Sequence, residues 1–158
     1  MSPDPLEGLK ERFTELDWHL SHGQEVVRVE REQLLEFATA AQEAGFDMLA
    51  DVTAVDWYRS REPRFDVVIN LLSMSHRARL RILVGLARDD TVVPSLVPLW
   101  PGANFAEREV FDFFGIVFEG HPDLTRILMP DDWDGFPLRK DYDTGAVPVQ
   151  FKASHKVS

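Results

Sequence analysis

Phe65–Leu86 reads FDVVINLLSMSHRARLRILVGL, two runs of alternating apolar and polar residues meeting near Ser75 and His76. A side-chain period of two marks a strand with one buried face, so the spacing predicts a hairpin of Phe65–Met74 against Arg77–Leu86. Phe65, Val67, Ile69 and Leu71 share one face with Ala78, Leu80, Ile82, Val84 and Leu86 of the partner run, and that face is core. The other face carries Asp66, Asn70 and Leu72 beside Arg77, Arg79 and Arg81. Alternation alone produces this basic stripe. It reads first as a solvated sheet face balancing nearby acids, and second as a site for an acidic partner.

Working outward, EVVRVE at Glu25–Glu30 is a further strand. A helix follows from Arg31 to Ala44, with Leu34, Leu35, Phe37, Ala38 and Ala41 along one side and Gly45 ending it. Phe46–Trp57 reads as another strand, and Asp4–Leu16 as an amphipathic helix with Leu6, Leu9, Phe13 and Leu16 at helical spacing. Arg88–Pro101 is a connector with a short helical turn, which Pro94 suits as an opening residue and which Pro98 and Pro101 keep short. Ile116–Phe118 makes a short strand. His19, His22, His76 and His155 fall in loops or the tail. After Tyr142 the chain loses periodicity and includes Gly145 and Pro148, so residues 143–158 are expected to be an extended tail on a single domain spanning 1–142. The fold class expected is α+β: two layers, a mixed or antiparallel sheet with helices packed on one face, and the extended C-terminal tail.

The chain has no cysteine, which excludes disulfides, thiol nucleophiles and thiolate-held clusters. Its 17 basic and 27 acidic side chains give a net charge of −10, a field that repels nucleic acid and anionic headgroups. The opening MSPDPLEGLKERF lacks a signal peptide's basic and apolar regions, and no apolar run approaches the roughly 20 residues of a membrane helix. These features lead to the expectation of a soluble, cytoplasmic chain and leave open a peripheral place on a membrane complex.

The densest mixture of charge and aromatics lies between Trp100 and Tyr142. NFAEREVFDFFG at Asn104–Gly115 reads as a helix with Asn104 as N-cap, Glu107 as its capping-box partner and Gly115 at the C′ position. At about 100° per residue, Phe113, Ala106, Val110, Phe114 and Phe111 sweep roughly 160°, Phe105 lies on the far side, and only Arg108 and Asp112 make a polar strip. A sheet covers one side of such a helix, so something else must cover the rest. Glu107 and Glu109 with His121 and Asp123 could serve acid–base or metal chemistry. The two glutamates, however, point about 160° apart on a helix, and no pair of histidines shares a helical face. There is no GxGxxG, GxxxxGK[ST] or GxSxG motif. Gly120 and Gly135 open GHP and GFP turns, in which His121 reads as a satisfied turn residue. LRKD at Leu138–Asp141 sits among Trp133, Phe136, Pro137 and Tyr142, a composition that suits partner recognition through Arg139 as well as it suits a solvated loop.

Three of these segments, EREVFDFFGI at Glu107–Ile116, GHPDL at Gly120–Leu124 with Arg126 and Leu128 following, and PLRKDY at Pro137–Tyr142, occur in an order that resembles a known family. It is the family of the C subunit, the 30 kDa subunit family, of the proton-translocating NADH-quinone oxidoreductase of bacterial respiration. RILMPDDWDGFPLRKDY is also similar to the J subunit of the chloroplast and cyanobacterial relative. Looser similarity covers LLSMSHRARLRILVGLARDD and VPSLVPLWPGANF upstream.

The resemblance implies an α+β peripheral-arm subunit of the separate-subunit form, on the cytoplasmic side of the plasma membrane. It would pack against the quinone-site D subunit and the iron-sulfur B and I subunits. Members of the family hold no flavin, cluster or quinone; their partners carry FMN, the iron-sulfur clusters and the quinone. The signature and interface residues implied here are Glu107, Arg108, Glu109, Asp112, Gly115, His121, Pro122, Pro137, Leu138, Arg139, Lys140 and Asp141. Among them Glu107, Arg108, Glu109 and Asp112 are expected to form a helix-borne polar network, and Arg139, Lys140 and Asp141 to be interface charges. Phe136 stands where many members have histidine, a departure that speaks against proton handling by that loop. Two other readings stay open: a homologous subunit of a membrane-bound hydrogenase or of a ferredoxin- or deazaflavin-fed complex, and a stand-alone acid–base or metal enzyme using Glu107, Glu109 and His121.

Overall fold

The hairpin forms the middle of a five-stranded sheet in a computed structural model that describes residues 4–143 and 145. In chain order the elements are α1 (Pro5–Arg12), β1 (Asp17–Ser21), β2 (Gln24–Arg28), α2 (Leu34–Glu43), β3 (Met48–Asp56), β4 (Phe65–Ser73), β5 (Ala78–Leu86), β6 (Val92–Pro94), α3 (Ala103–Phe114) and β7 (Val117–Glu119). The sheet runs β1-β2-β5-β4-β3. It is antiparallel except where β2 lies parallel to β5, a pairing that needs the α2–β3–β4 crossover. The α+β class with a mixed sheet is therefore as expected.

β4 and β5 pair from Phe65↔Leu86 to Ser73↔Ala78, in the register that keeps like faces together. On the inner face Phe65, Val67, Ile69, Leu71, Leu80, Ile82, Val84 and Leu86 are all buried. Leu34, Phe37, Ala38 and Ala41 of α2, Leu9 of α1, and Val110 and Phe114 of α3 join them in one core. On the outer face Arg77 and Arg79 are exposed and Arg81 donates to Asn70 at 3.0 Å, while Asp66 is buried among Arg28, Trp57 and Arg61, so the face is open to solvent only towards the β4–β5 turn.

Four sequence expectations need correction. α1 stops at Arg12, because Phe13 leaves helical geometry, and Asp17–Ser21 then forms an edge strand with His19 on it rather than in a loop. The mixed pattern of DWHLS hid that strand, since only its pairing with β2 defines it. Pro94 ends a strand instead of opening a helical turn: β6 pairs parallel with β7, and the turn follows at Leu96–Trp100. Proline is tolerated there at the end of a two-stranded ribbon. α3 begins at Ala103, so Asn104 lies inside the helix and Gly102 holds the cap position without a side-chain bond. The preceding turn satisfies the early amides instead, with the Ala103 and Asn104 N–H groups donating to Trp100 and Pro101 carbonyls. The expected tail at residues 143–158 lies, beyond 143 and 145, outside the described residues.

Candidate functional site

α3 ends as its sequence predicts. Gly115 takes the left-handed conformation (φ 70°) and its N–H closes on the Phe111 carbonyl at 2.8 Å. Glycine is needed there for a second reason, since a Cβ would come within 2.5 Å of the Phe136 ring. Phe136 belongs to the segment 121–142, which carries no helix or strand and folds back along α3 as a strap. The Leu138 N–H donates to the Phe113 carbonyl at 3.1 Å, and Arg139 Nε donates to the Phe114 carbonyl at 2.6 Å. The cover that the apolar helix requires is thus supplied in large part by its own chain.

The polar strip of α3 is what holds the strap. Asp112 is completely buried, and one carboxylate oxygen accepts the N–H groups of Ile127, Leu128 and Met129 at 3.1, 2.7 and 2.8 Å. Arg126 donates to the other oxygen at 2.8 Å and also to the carbonyls of Trp133 and Gly135. Burial pushes the Asp112 carboxyl up, but these donors outweigh it and hold the group below the usual carboxylate range. One turn earlier, Arg108 donates to the Thr125 carbonyl and hydroxyl and to the Arg126 carbonyl.

Glu107 faces the opposite way and is not a capping-box residue. Also fully buried, it accepts the Ser95 hydroxyl at 2.7 Å and the Leu96 N–H at 2.6 Å, tying the Leu96–Trp100 turn to α3. Burial raises its pKa, more strongly than the two donors and the nearby His121 lower it. His121 Nε2 lies 4.0 Å from Glu107 and 3.1 Å from the Asn104 carbonyl, while Nδ1 accepts the Asp123 N–H at 3.0 Å. With Nδ1 accepting, Nε2 is left to donate to the Asn104 carbonyl. His121 is a satisfied turn residue whose side chain is buried against Glu107. Glu109 is exposed on the other side of the helix. The expected network of Glu107, Arg108, Glu109 and Asp112 is therefore split: 107 binds a turn, 108 and 112 bind the strap, and 109 faces outward.

The far end of the strap is clasped by residues that sequence reasoning missed. Arg64, 2% exposed, lies between two carboxylates: Asp56 at 2.9 Å from both Nε and Nη2, and Asp141 at 2.9 and 3.2 Å. Asp56 also accepts the Lys140 N–H at 2.8 Å and the Tyr58 N–H at 2.8 Å. Burial works against its charge, yet Arg64 and the two amides bring its pKa down to about 2. Asp56 ends β3, Arg64 precedes β4, and Asp141 is 77 positions further on, so no spacing announces the cluster. Arg139 stacks between Phe65 and Phe136 at 5.3 and 5.0 Å, and burial lowers its pKa. Pro122 and Pro137 sit in the turns at the two ends of the strap, while Leu138, Lys140 and Asp141 are exposed.

Among the described residues no three His, Asp or Glu side chains gather as metal ligands, and no helix is long and apolar enough to cross a membrane. The elements define an α+β domain with a charged strap clasped over one helix. Residues 27–147 match the family model described as the respiratory-chain NADH dehydrogenase 30 kDa subunit, and the chain belongs to that family. It is 48% identical over 149 residues to the C subunit of the NADH-quinone oxidoreductase of Roseiflexus castenholzii, covering 94% of this chain and 82% of that one. Against the corresponding C subunit of Saccharopolyspora erythraea it is 46% identical, covering 85% of this chain but only 55% of that relative's length. Among solved structures, a trypsin-resistant fragment (1-134) of Nqo5 superposes with a TM-score of 0.70 at 36% identity, covering 76% of this chain and 99% of the fragment. The fold also matches a chain of an archaeal membrane-bound sulfane sulfur reductase at a TM-score of 0.79 and 23% identity, covering 95% and 94% of the two chains.

Proposed function

We propose that this chain serves as the C subunit of a proton-translocating NADH-quinone oxidoreductase. It carries no redox centre of its own and packs against the quinone-site D subunit and the iron-sulfur B and I subunits, peripherally on the cytoplasmic side of the membrane. Electrons pass from FMN through clusters to quinone in those partners. The observation that carries this reading is how the signature segment divides its residues. Glu107, Asp112, Arg126 and Arg139 are used internally, while Phe105, Ile127, Leu128 and Leu138, at 63, 36, 61 and 53% exposed, face outward from the same helix and strap. Large apolar side chains displayed on a segment pinned by buried charges suit a preorganised interface. An acid–base enzyme fits less well, since Glu107 and His121 are occupied by Ser95, Leu96, Asn104 and Asp123.

The test is to purify tagged chain from membranes of its source under mild detergent. Co-recovery of cluster-bearing subunits is expected. Recovery of the tagged chain alone would refute the reading. The electron-input proteins that accompany it distinguish the NADH enzyme from a hydrogenase or a ferredoxin- or deazaflavin-fed relative.

A further inference from the structure

The loop between β3 and β4, WYRSREPR at residues 57–64, gathers aromatic and guanidinium groups that the signature strap does not account for. Tyr58 is held at a positive φ of 53°, a conformation unusual for a bulky residue. Its N–H is fixed on the buried Asp56 at 2.8 Å, and Asp56 is in turn fixed by Arg64. The loop closes on itself through Trp57 N–H to the Arg64 carbonyl and Ser60 N–H to the Trp57 carbonyl. Pro63 presses so closely on Gly85 that a Cβ there would lie 2.4 Å from the proline ring. The loop, exposed at residues 59–62, is therefore anchored at both ends.

Around the Tyr58 ring stand three guanidinium groups: Arg59 at 5.1 Å, Arg64 at 5.2 Å, and Arg88, from the end of β5, at 5.8 Å. Arg64 is neutralised by Asp56 and Asp141, and neighbouring Arg61 and Arg28 are both spent on the buried Asp66. Arg59 and Arg88 are exposed and form no ion pair among the described residues, although Glu62, three positions from Arg59, and Asp89, next to Arg88, are exposed as well. Two unmatched cations are thus set against an aromatic face, on an anchored loop, in a protein of net charge −10. Tyrosine with arginine is the residue pair that dominates interface centres, and an anchored loop loses little entropy on binding.

We propose that the Tyr58, Arg59 and Arg88 platform docks a carboxylate-rich segment of a neighbouring subunit. The neighbour's identity as a subunit rests on the function proposed above; the acidic character rests on the geometry of this loop. Nucleic acid and anionic membrane suit the platform poorly, because the long-range field of the whole chain repels extended polyanions. A short acidic peptide meets the local field instead. Residues 144–158 of this chain contain no Asp or Glu, so its own tail lacks the matching charge.

The test uses the assembled complex. A tagged chain carrying Arg59→Glu and Arg88→Glu is purified beside wild type and beside a control with Arg77→Glu and Arg79→Glu, which makes the same charge change at the opposite end of the β4–β5 hairpin. Co-recovered subunits are expected to fall about tenfold for the first variant and to stay within about twofold for the control, with wild-type melting temperatures for all three isolated chains. A photo-crosslinking residue in place of the exposed Ser60 should map to an acidic stretch of another subunit. Undiminished recovery with the Arg59/Arg88 variant, equal losses in both variants, or a crosslink to a neutral or basic stretch, a lipid, nucleic acid or a second copy of this chain would overturn the proposal. Wild-type chain recovered without other subunits would instead refute the proposed function.

Discussion

Replacing Arg64 by methionine keeps most of the buried stem and removes only the guanidinium that joins Asp56 to Asp141. Asp56, 3% exposed with Arg64 in place, is then left with only the Tyr58 and Lys140 amides as donors. Its pKa of about 2, against an ordinary 3.8, corresponds to roughly 2–3 kcal/mol of stability at neutral pH. Most of that is lost with Arg64, and stranding a buried carboxylate raises the cost toward roughly 3–5 kcal/mol. Asp141, with its side chain 40% exposed, adds little because water screens it. For a chain of this length that range lowers the melting temperature by roughly 5–20 °C. The assay is thermal unfolding of the isolated chain by circular dichroism, repeated from pH 7 to pH 2. A depressed carboxyl pKa contributes stability above the unfolded value and loses it as pH falls through the folded one, so the gap between wild type and variant must shrink between about pH 4 and pH 2. A melting temperature within about 2 °C of wild type at pH 7, or a gap that persists at pH 2, would refute the reasoning.

Glu107→Gln should behave in the opposite sense. Burial raises the glutamate's pKa, so its contribution to stability is greatest below the unfolded pKa and declines as pH rises through the folded one. The glutamine variant is expected to melt no lower than wild type at pH 8, because the amide still accepts the Leu96 N–H and can donate to Ser95; a drop of more than about 4 °C would contradict this. Gly115→Ala forces a left-handed alanine into the Phe136 ring and should cost about 2–4 kcal/mol by denaturant unfolding, of which only the steric part is recovered by adding Phe136→Leu.

The split of the signature motif shows why periodicity alone misjudged parts of it. Helical spacing correctly placed Glu107 and Glu109 on opposite sides of α3 and gave Gly115 its left-handed turn. It could not show that Asp112, placed by spacing on a polar strip, would be sealed by Ile127–Met129, because that depends on a segment 15 positions later folding back. Arg139 was legible as an anchor among aromatics, but in this fold its nearest acceptor is Phe114 of its own chain. Arg64 and Asp56 were invisible for the same reason: buried ion pairs join residues with no common spacing.

The sequence by itself determined the main local elements, the β4–β5 hairpin and helices α2 and α3, though not the edge strand β1. A period of two made β4 and β5 a hairpin and a period of 3.6 made α2 and α3 helices, because periodicity depends on neighbours a few residues apart, and composition alone, with no cysteine, barred thiolate-held clusters. The order of three short motifs also pointed to the family. Only the tertiary structure decided what covers α3, which charges are spent inside the chain, and which stay exposed. Those outcomes depend on the strap returning across α3 to Asp56 and Arg64, and buried electrostatics act through distance in space rather than along the chain.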